Sequence, residues 1–229
     1  MWSIVLISAL SCCGDRLVEN APDPSESVLA EIKQGLQTGS LLFSQGDCLA
    51  VKVFSQSSYT HVAGVIACGD DFVVYDSMNG VGVRKMGLSE YLRQQTPNTI
   101  HVVHPKDPLM SEKRDAYERY LESQLGRKYS VKHHLTGQRC DGLHCSEYMT
   151  DALMAAELIS AQQPSRVSPG SLLEGVIKTE VYIDGNRLEL KNPVDSEPRD
   201  QRWYHRVWKE TCTCCSKSVV QVRRWVLCR

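Results

Sequence analysis

The densest run of apolar and β-branched positions lies between His61 and Asp76. His61-Val-Ala-Gly-Val-Ile-Ala-Cys68 and Asp71-Phe-Val-Val-Tyr-Asp76 flank Gly69-Asp70, a pair suited to a two-residue hairpin turn. The pattern predicts two antiparallel strands. If Cys68 pairs with Asp71, Ala63 lies opposite Asp76. His61 is then the diagonal neighbour of Asp76 on the same face, within cross-strand reach. A three-residue loop would shift the register and separate them.

The remaining elements follow from periodicity and punctuation. Val28 to Gln37 reads as a helix, and Gly39 to Phe43 as a strand closed by Gln45-Gly46. Asp47 is placed to cap a helix carrying Leu49, Ala50, Val53 and Phe54. Val81 to Lys85 reads as a short edge strand, Leu88 to Gln94 as a helix and Thr99 to His104 as a strand. Ser111 to Leu125 is amphipathic, with Ser111 as N-cap and Gly126 as stop. A polar connection follows from Tyr129 to Arg139. From Cys145 onward, Met149, Ala152, Leu153, Ala156 and Ile159 recur at helical spacing and form one apolar stripe, with the Asp141-Gly142 turn just upstream. Glu180 to Leu190 reads as a second hairpin turning at Asp184-Gly185.

Composition narrows the class. The chain has 229 residues, 42% hydrophobic and 23% charged, as an ordinary globular protein does. Its net charge of −1 gives no reason to expect a nucleic-acid partner, and no motif does either. The charge is uneven, however. Residues 199–229 hold eight Lys/Arg against two Asp/Glu, a net +6 that leaves −7 for the rest. Three parts are therefore expected: residues 1–27, a main domain over 28–198, and a basic extension over 199–229. In the first part, Trp2 to Leu10 is apolar but too short to span a bilayer, and Ser11-Cys12-Cys13-Gly14 follows. This reads either as a lipoprotein signal with a lipidated cysteine, though without the usual preceding Lys or Arg, or as a first buried element with two core cysteines. The polar, Pro-containing stretch from Glu19 to Ser27 suits a tether. The extension carries Trp203, Trp208 and Trp225, which suit either a membrane face or a packed C-terminal cover. Its Cys212, Cys214 and Cys215 suit metal or disulfides.

Ten cysteines bring in candidate chemistry. Cys145 begins a helix, where unpaired N–H groups and the positive end of the macrodipole favour a thiolate. A thiol also needs a base, and His61, on a rigid strand, is the candidate. A different reading uses His133, His134, Cys140, His144 and Cys145 as zinc ligands, which would make the chain a non-catalytic metal-binding or interaction protein.

Five stretches in order carry a family resemblance. They are Gly39-Ser40-Leu41-Leu42-Phe43, Ser58-Tyr59-Thr60-His61-Val62-Ala63-Gly64-Val65, Val74-Tyr75-Asp76, Gly126-Arg127-Lys128-Tyr129 and His144-Cys145-Ser146-Glu147. Together, over roughly residues 38–160, the chain resembles the permuted papain-like amidases of the YiiX/YaeF group, relatives of the NlpC-type cell-wall peptidases. The resemblance implies an α+β, circularly permuted papain-like fold, with an antiparallel sheet and the nucleophile helix packed on it. It implies Cys145 as nucleophile, His61 as base and Asp76 as the group orienting the imidazole, with no cofactor. Tyr59 and Tyr129, inside the quoted stretches, are the candidate substrate-binding residues. The family usually has Glu at the Asp76 position, Asp at Ser40, and a Pro-containing turn at Arg127-Lys128. Expected substrates are amide bonds, those of cell-wall peptides among them, or acyl bonds in lipids. Some relatives are lipoproteins, so the implied location is the cell envelope through a Cys12 or Cys13 lipid anchor, and the cytoplasm otherwise.

Overall fold

The computed structural model describes residues 26–45, 57–95, 98–131 and 141–190. Helix α1 (Glu26–Lys33) precedes strand β1 (Leu41–Gln45). The hairpin of β2 (His61–Cys68) and β3 (Asp71–Met78) follows, then β4 (Gly82–Gly87) and helix α2 (Leu88–Gln95). Next come β5 (Thr99–Pro105), helix α3 (Ser111–Ser123) and helix α4 (Cys145–Ala155). A 3₁₀ turn (Pro164–Arg166), helix α5 (Pro169–Lys178) and strand β6 (Tyr182–Glu189) complete the described chain. The strands form one antiparallel sheet in the order β4-β3-β2-β1-β5-β6.

The β2–β3 register is the expected one, with Cys68 opposite Asp71 and Gly64 opposite Tyr75. Alternation of side chains along each strand divides the core in two. Leu41, Phe43, Val62, Ile66 and Tyr75 pack under α3, α4 and α5. Leu42, Ala63, Val65, Val74 and Val102 pack under α1 and α2. Both faces of the sheet are covered, so β2 is apolar almost throughout.

Two expectations need correction. Residues 180–190 form no hairpin. They run as the single strand β6 along β5, with a register shift between His101 and Val103. Val103 faces Asp184 and His101 faces Arg187, so the Asp184-Gly185 pair sits at a bulge. A Cβ on Gly185 would come within 2.6 Å of the Val102 carbonyl, which explains the glycine without a turn. Nor is Ser111 the cap of α3. That place is taken by Met110, without a side-chain bond, and the helix ends three residues before Gly126. The expected helix after Asp47, the Cys12/Cys13 segment, His133, His134, Cys140 and the basic extension lie outside the described residues.

One contact sets how closely α4 approaches the sheet. A Cβ on Gly64 of β2 would press on the Tyr117 hydroxyl of α3 and lie 2.7 Å from the Met149 sulfur of α4. Only a residue without a side chain lets both helices seat there. Gly64→Ala is therefore expected to destabilise the fold by about 1–3 kcal/mol, the usual cost of overpacking a filled core. The measurement is the urea midpoint, which should fall with the slope unchanged.

Candidate active site

The start of α4 is fixed by bonds to three separate segments. Leu143 donates its N–H to the Lys128 carbonyl at 2.9 Å, and its own carbonyl accepts from Ser77 Oγ of β3 at 2.7 Å. Gly142, just before it, runs so close to Ser130 and the Lys128 carbonyl that no Cβ fits. His144 is the N-cap: its backbone is extended and its Nδ1 accepts from the Glu147 N–H at 3.3 Å. The residues on either side of Cys145 then grip one loop. His144 Nε2–H donates to the Ser165 carbonyl at 2.9 Å, and Ser146 Oγ–H to the Val167 carbonyl at 2.7 Å. Cys145 is left at the first helical position, 5% exposed, with nowhere to drift.

His61 reaches it from an unexpected side. Its parity along β2 is that of Ala63 and Val65, so it belongs to the α1–α2 face, where its ring stacks on Tyr91 of α2 at 6.5 Å. Cys145 belongs to the opposite core. The two side chains nevertheless act on one another's charge, and His61 is the first residue of its strand. His61 Nε2 is 3.0 Å from Asp76 Oδ2, which leaves Nδ1 for the sulfur. Asp76 is fully buried. It also accepts from Arg84, its partner across the β3–β4 pair, with Nε to Oδ1 at 2.8 Å and Nη2 to Oδ2 at 3.2 Å.

The charges follow from this geometry. Burial alone would push the Cys145 thiol up, but the positive charge on His61, with the adjacent His144 and a hydrogen bond from His61, outweighs it and holds the thiol well below its ordinary range. Burial alone would push His61 down, but the Cys145 charge and the Asp76 hydrogen bond lift the imidazole well above its ordinary range. Asp76 would likewise rise on burial, and His61 and Arg84 keep it below the usual carboxylate range. The favoured neutral-pH state is thus a thiolate beside an imidazolium. His144 behaves differently. Burial opposes its protonation, while Cys145, the Ser165 carbonyl and Glu147 favour it, with a net upward shift. The capping bond needs a bare Nδ1 and so competes with that protonation.

Cys145, His61 and Asp76 therefore converge. Tyr59 is buried edge-on to Phe43, and its hydroxyl is engaged by His101 Nδ1 at 2.7 Å, so it offers a ligand only its ring. Tyr129 is half-buried on the segment that pairs with Leu143. Of the five residues in the zinc reading, only His144 and Cys145 are described, and among the described residues no group of three or more His, Cys, Asp or Glu could hold a metal. None of the described helices is long and apolar enough to cross a membrane. Sequence reasoning missed Arg84, Tyr91 and the grip of His144 and Ser146 on the Ser165–Val167 loop. Arg84 was within reach of it, since a β3–β4 hairpin turning through Asn79-Gly80-Val81 sets Arg84 opposite Asp76.

Comparison with known proteins bears on this arrangement. Residues 35–226 match the family model described as "permuted papain-like amidase enzyme, YaeF/YiiX". The chain belongs to that family. Its mixture of helices with a six-stranded antiparallel sheet is consistent with the papain-like fold of that family. Among solved structures it is similar to the metalloprotein YiiX from Escherichia coli O157:H7, at 15% identity and a TM-score of 0.46, covering 71% of this chain and 93% of that one. No curated protein matches the chain.

The electrostatics predict the pH behaviour of the thiol. An ordinary cysteine, with a pKa of about 8.5, is almost wholly protonated at about pH 6. Cys145 should still be alkylated by iodoacetamide there, as peptide mapping by mass spectrometry would record, and the rate should fall only at lower pH. A rate that rises only above about pH 8 would mean that the sulfur is not held as thiolate.

Proposed function

We propose that the protein is a cysteine amidase in which Cys145 is the nucleophile, His61 the general base and acid, and Asp76 the group that orients His61. The observation that carries this reading is the 3.0 Å contact of His61 with the buried Asp76 carboxylate, together with the mutual charge stabilisation of His61 and Cys145. In the first half-reaction the Cys145 thiolate attacks the amide carbonyl. The Cys145 N–H, at the first helical position and without an intrahelical acceptor, faces the developing oxyanion. The His61 imidazolium protonates the departing amine as the C–N bond breaks, leaving a thioester. Water, deprotonated by the now neutral His61, then attacks the thioester, releasing the acid and restoring the thiolate–imidazolium pair.

The substrate side rests on the resemblance to NlpC-type peptidases, which favours amide bonds of cell-wall peptides over acyl bonds of lipids. Tyr129 and the ring of Tyr59 are the contacts we assign to the substrate, and a Cys12 or Cys13 lipid anchor would place the enzyme at the cell envelope. The experiment compares wild type, Cys145→Ala, His61→Gln and Asp76→Asn on cell-wall peptide and acyl-lipid fractions, following release of new amino groups and of free fatty acid. Wild type should release amino groups from the peptide fraction, and Cys145→Ala should fall to background. His61→Gln should lose about 10²–10⁴-fold, the usual worth of a positioned acid–base group. Asp76→Asn should lose turnover while keeping substrate affinity. Undiminished activity in Cys145→Ala would end the proposal, and fatty-acid release alone would move the substrate to lipids.

A further inference from the structure

The Asp76 carboxylate has a second partner besides His61, and that partner accounts for features that a Cys–His–Asp set leaves unexplained. Asp76 is wholly buried, yet it is ionised beside a thiolate that is buried as well. Two buried anions flanking one imidazolium would leave the cluster with an excess negative charge, which low-dielectric surroundings oppose strongly. Arg84 supplies the missing cation. Its guanidinium contacts both carboxylate oxygens, with Nε at 2.8 Å from Oδ1 and Nη2 at 3.2 Å from Oδ2. A planar fork on a planar carboxylate fixes the rotation of the carboxylate as well as its charge. The oxygen facing His61, Oδ2, is thereby held 3.0 Å from Nε2, which leaves Nδ1 available to the thiol.

We infer that Arg84 is a positioning residue for the amidase reaction, acting through Asp76 to hold His61 and to balance the charge of the buried thiolate. The inference rests on the Cys145–His61–Asp76 reading and extends it by one residue. Arg84 touches neither the sulfur nor any bond that changes. The groups facing Arg84 are Asp76 on β3 and Tyr91 on α2, with His61 of β2 on the far side of the carboxylate; around the thiolate stand His61 and His144, with the buried Glu147 carboxylate 3.8 Å from His144 Nε2. The Met78 sulfur, 3.2 Å from Nη2, closes the remaining side. Tyr91 is pushed above its ordinary range by burial and by Asp76 and stays neutral, so Arg84 is the fixed positive charge in the set. With it, thiolate, imidazolium, carboxylate and guanidinium sum to zero; without it they sum to one negative charge.

That difference has a signed consequence. In Arg84→Met the thiolate forms next to an imidazolium and an uncompensated carboxylate, so its protonation moves to higher pH. Imidazolium loss moves upward too, because the anion beside it is no longer offset. The experiment measures the rate of Cys145 alkylation by iodoacetamide against pH, and amide turnover, in wild type, Arg84→Met and Arg84→Lys, with circular dichroism as the check on folding. Arg84→Met should shift the acid limb of the alkylation profile upward by about one pH unit, a typical effect of removing a nearby buried charge. Turnover should fall in the same variant. Arg84→Lys keeps the charge and loses the fork. Its acid limb should stay close to wild type while turnover remains depressed.

A folded Arg84→Met with an unmoved acid limb overturns the inference. If Arg84→Met does not fold, Arg84→Lys decides: a limb displaced as far as one unit, or turnover equal to wild type, overturns it. A wild-type profile with no thiolate at low pH points instead to failure of the catalytic reading itself, since it needs no Arg84 variant to appear.

Discussion

A charged sulfur inside a protein exists only where something positive is held beside it more firmly than water would hold it. Desolvation opposes ionisation of Cys145, His61 and Asp76 alike, and in each case the neighbouring charge reverses the effect. None of the three would be ionised alone at this depth. Their mutual dependence makes the site one electrostatic unit, whose titration belongs to the group rather than to any member. The rest of the fold serves to keep these groups from separating.

Two rigid supports meet at the end of the sheet to do so. On one side the hairpin of β2 and β3 fixes His61 and Asp76 by register alone, since Cys68 opposite Asp71 brings their side chains to one face. On the other, the start of α4 is tied by Leu143 to the Lys128 carbonyl and Ser77, and by His144 and Ser146 to the Ser165–Val167 loop. The helix packs on one face of the sheet and His61 belongs to the other. His61 is the first residue of β2, at the end of the sheet. The position of His61 along its strand therefore matters as much as its identity.

The parts legible in the sequence were those governed by local rules. The β2–β3 hairpin announced itself through Gly69-Asp70 and continuous β-formers, and the Cys145 helix through its apolar stripe. The second hairpin was misread because Asp-Gly serves a bulge as readily as a turn, and only the pairing of β6 with β5 distinguishes them. Ser111 was misread as a cap because a serine at the first helical position looks the same in sequence as one just before it. His144 appeared as a candidate zinc ligand, whereas its capping and loop bonds depend on Glu147 and on a carbonyl 21 residues away. Contacts of that span leave no periodic trace. Arg84 was overlooked for a different reason: an arginine on an edge strand ordinarily reads as a solvated charge, so its place opposite Asp76 across the β3–β4 hairpin drew no notice.

The buried acid beside His61 is an aspartate, one methylene shorter than the glutamate that the family resemblance leads one to expect. Asp76 keeps its carboxylate close to the backbone of β3, where it has little freedom, and the directly opposite Arg84 clasps both oxygens. What aspartate loses in length it gains in restricted rotation, since fewer rotatable bonds separate it from the sheet. Orientation of the imidazole then depends on a cross-strand pair instead of a long flexible acid. In such an arrangement, the edge strand β4 supports the proposed site through Arg84 and the Asp76 carboxylate.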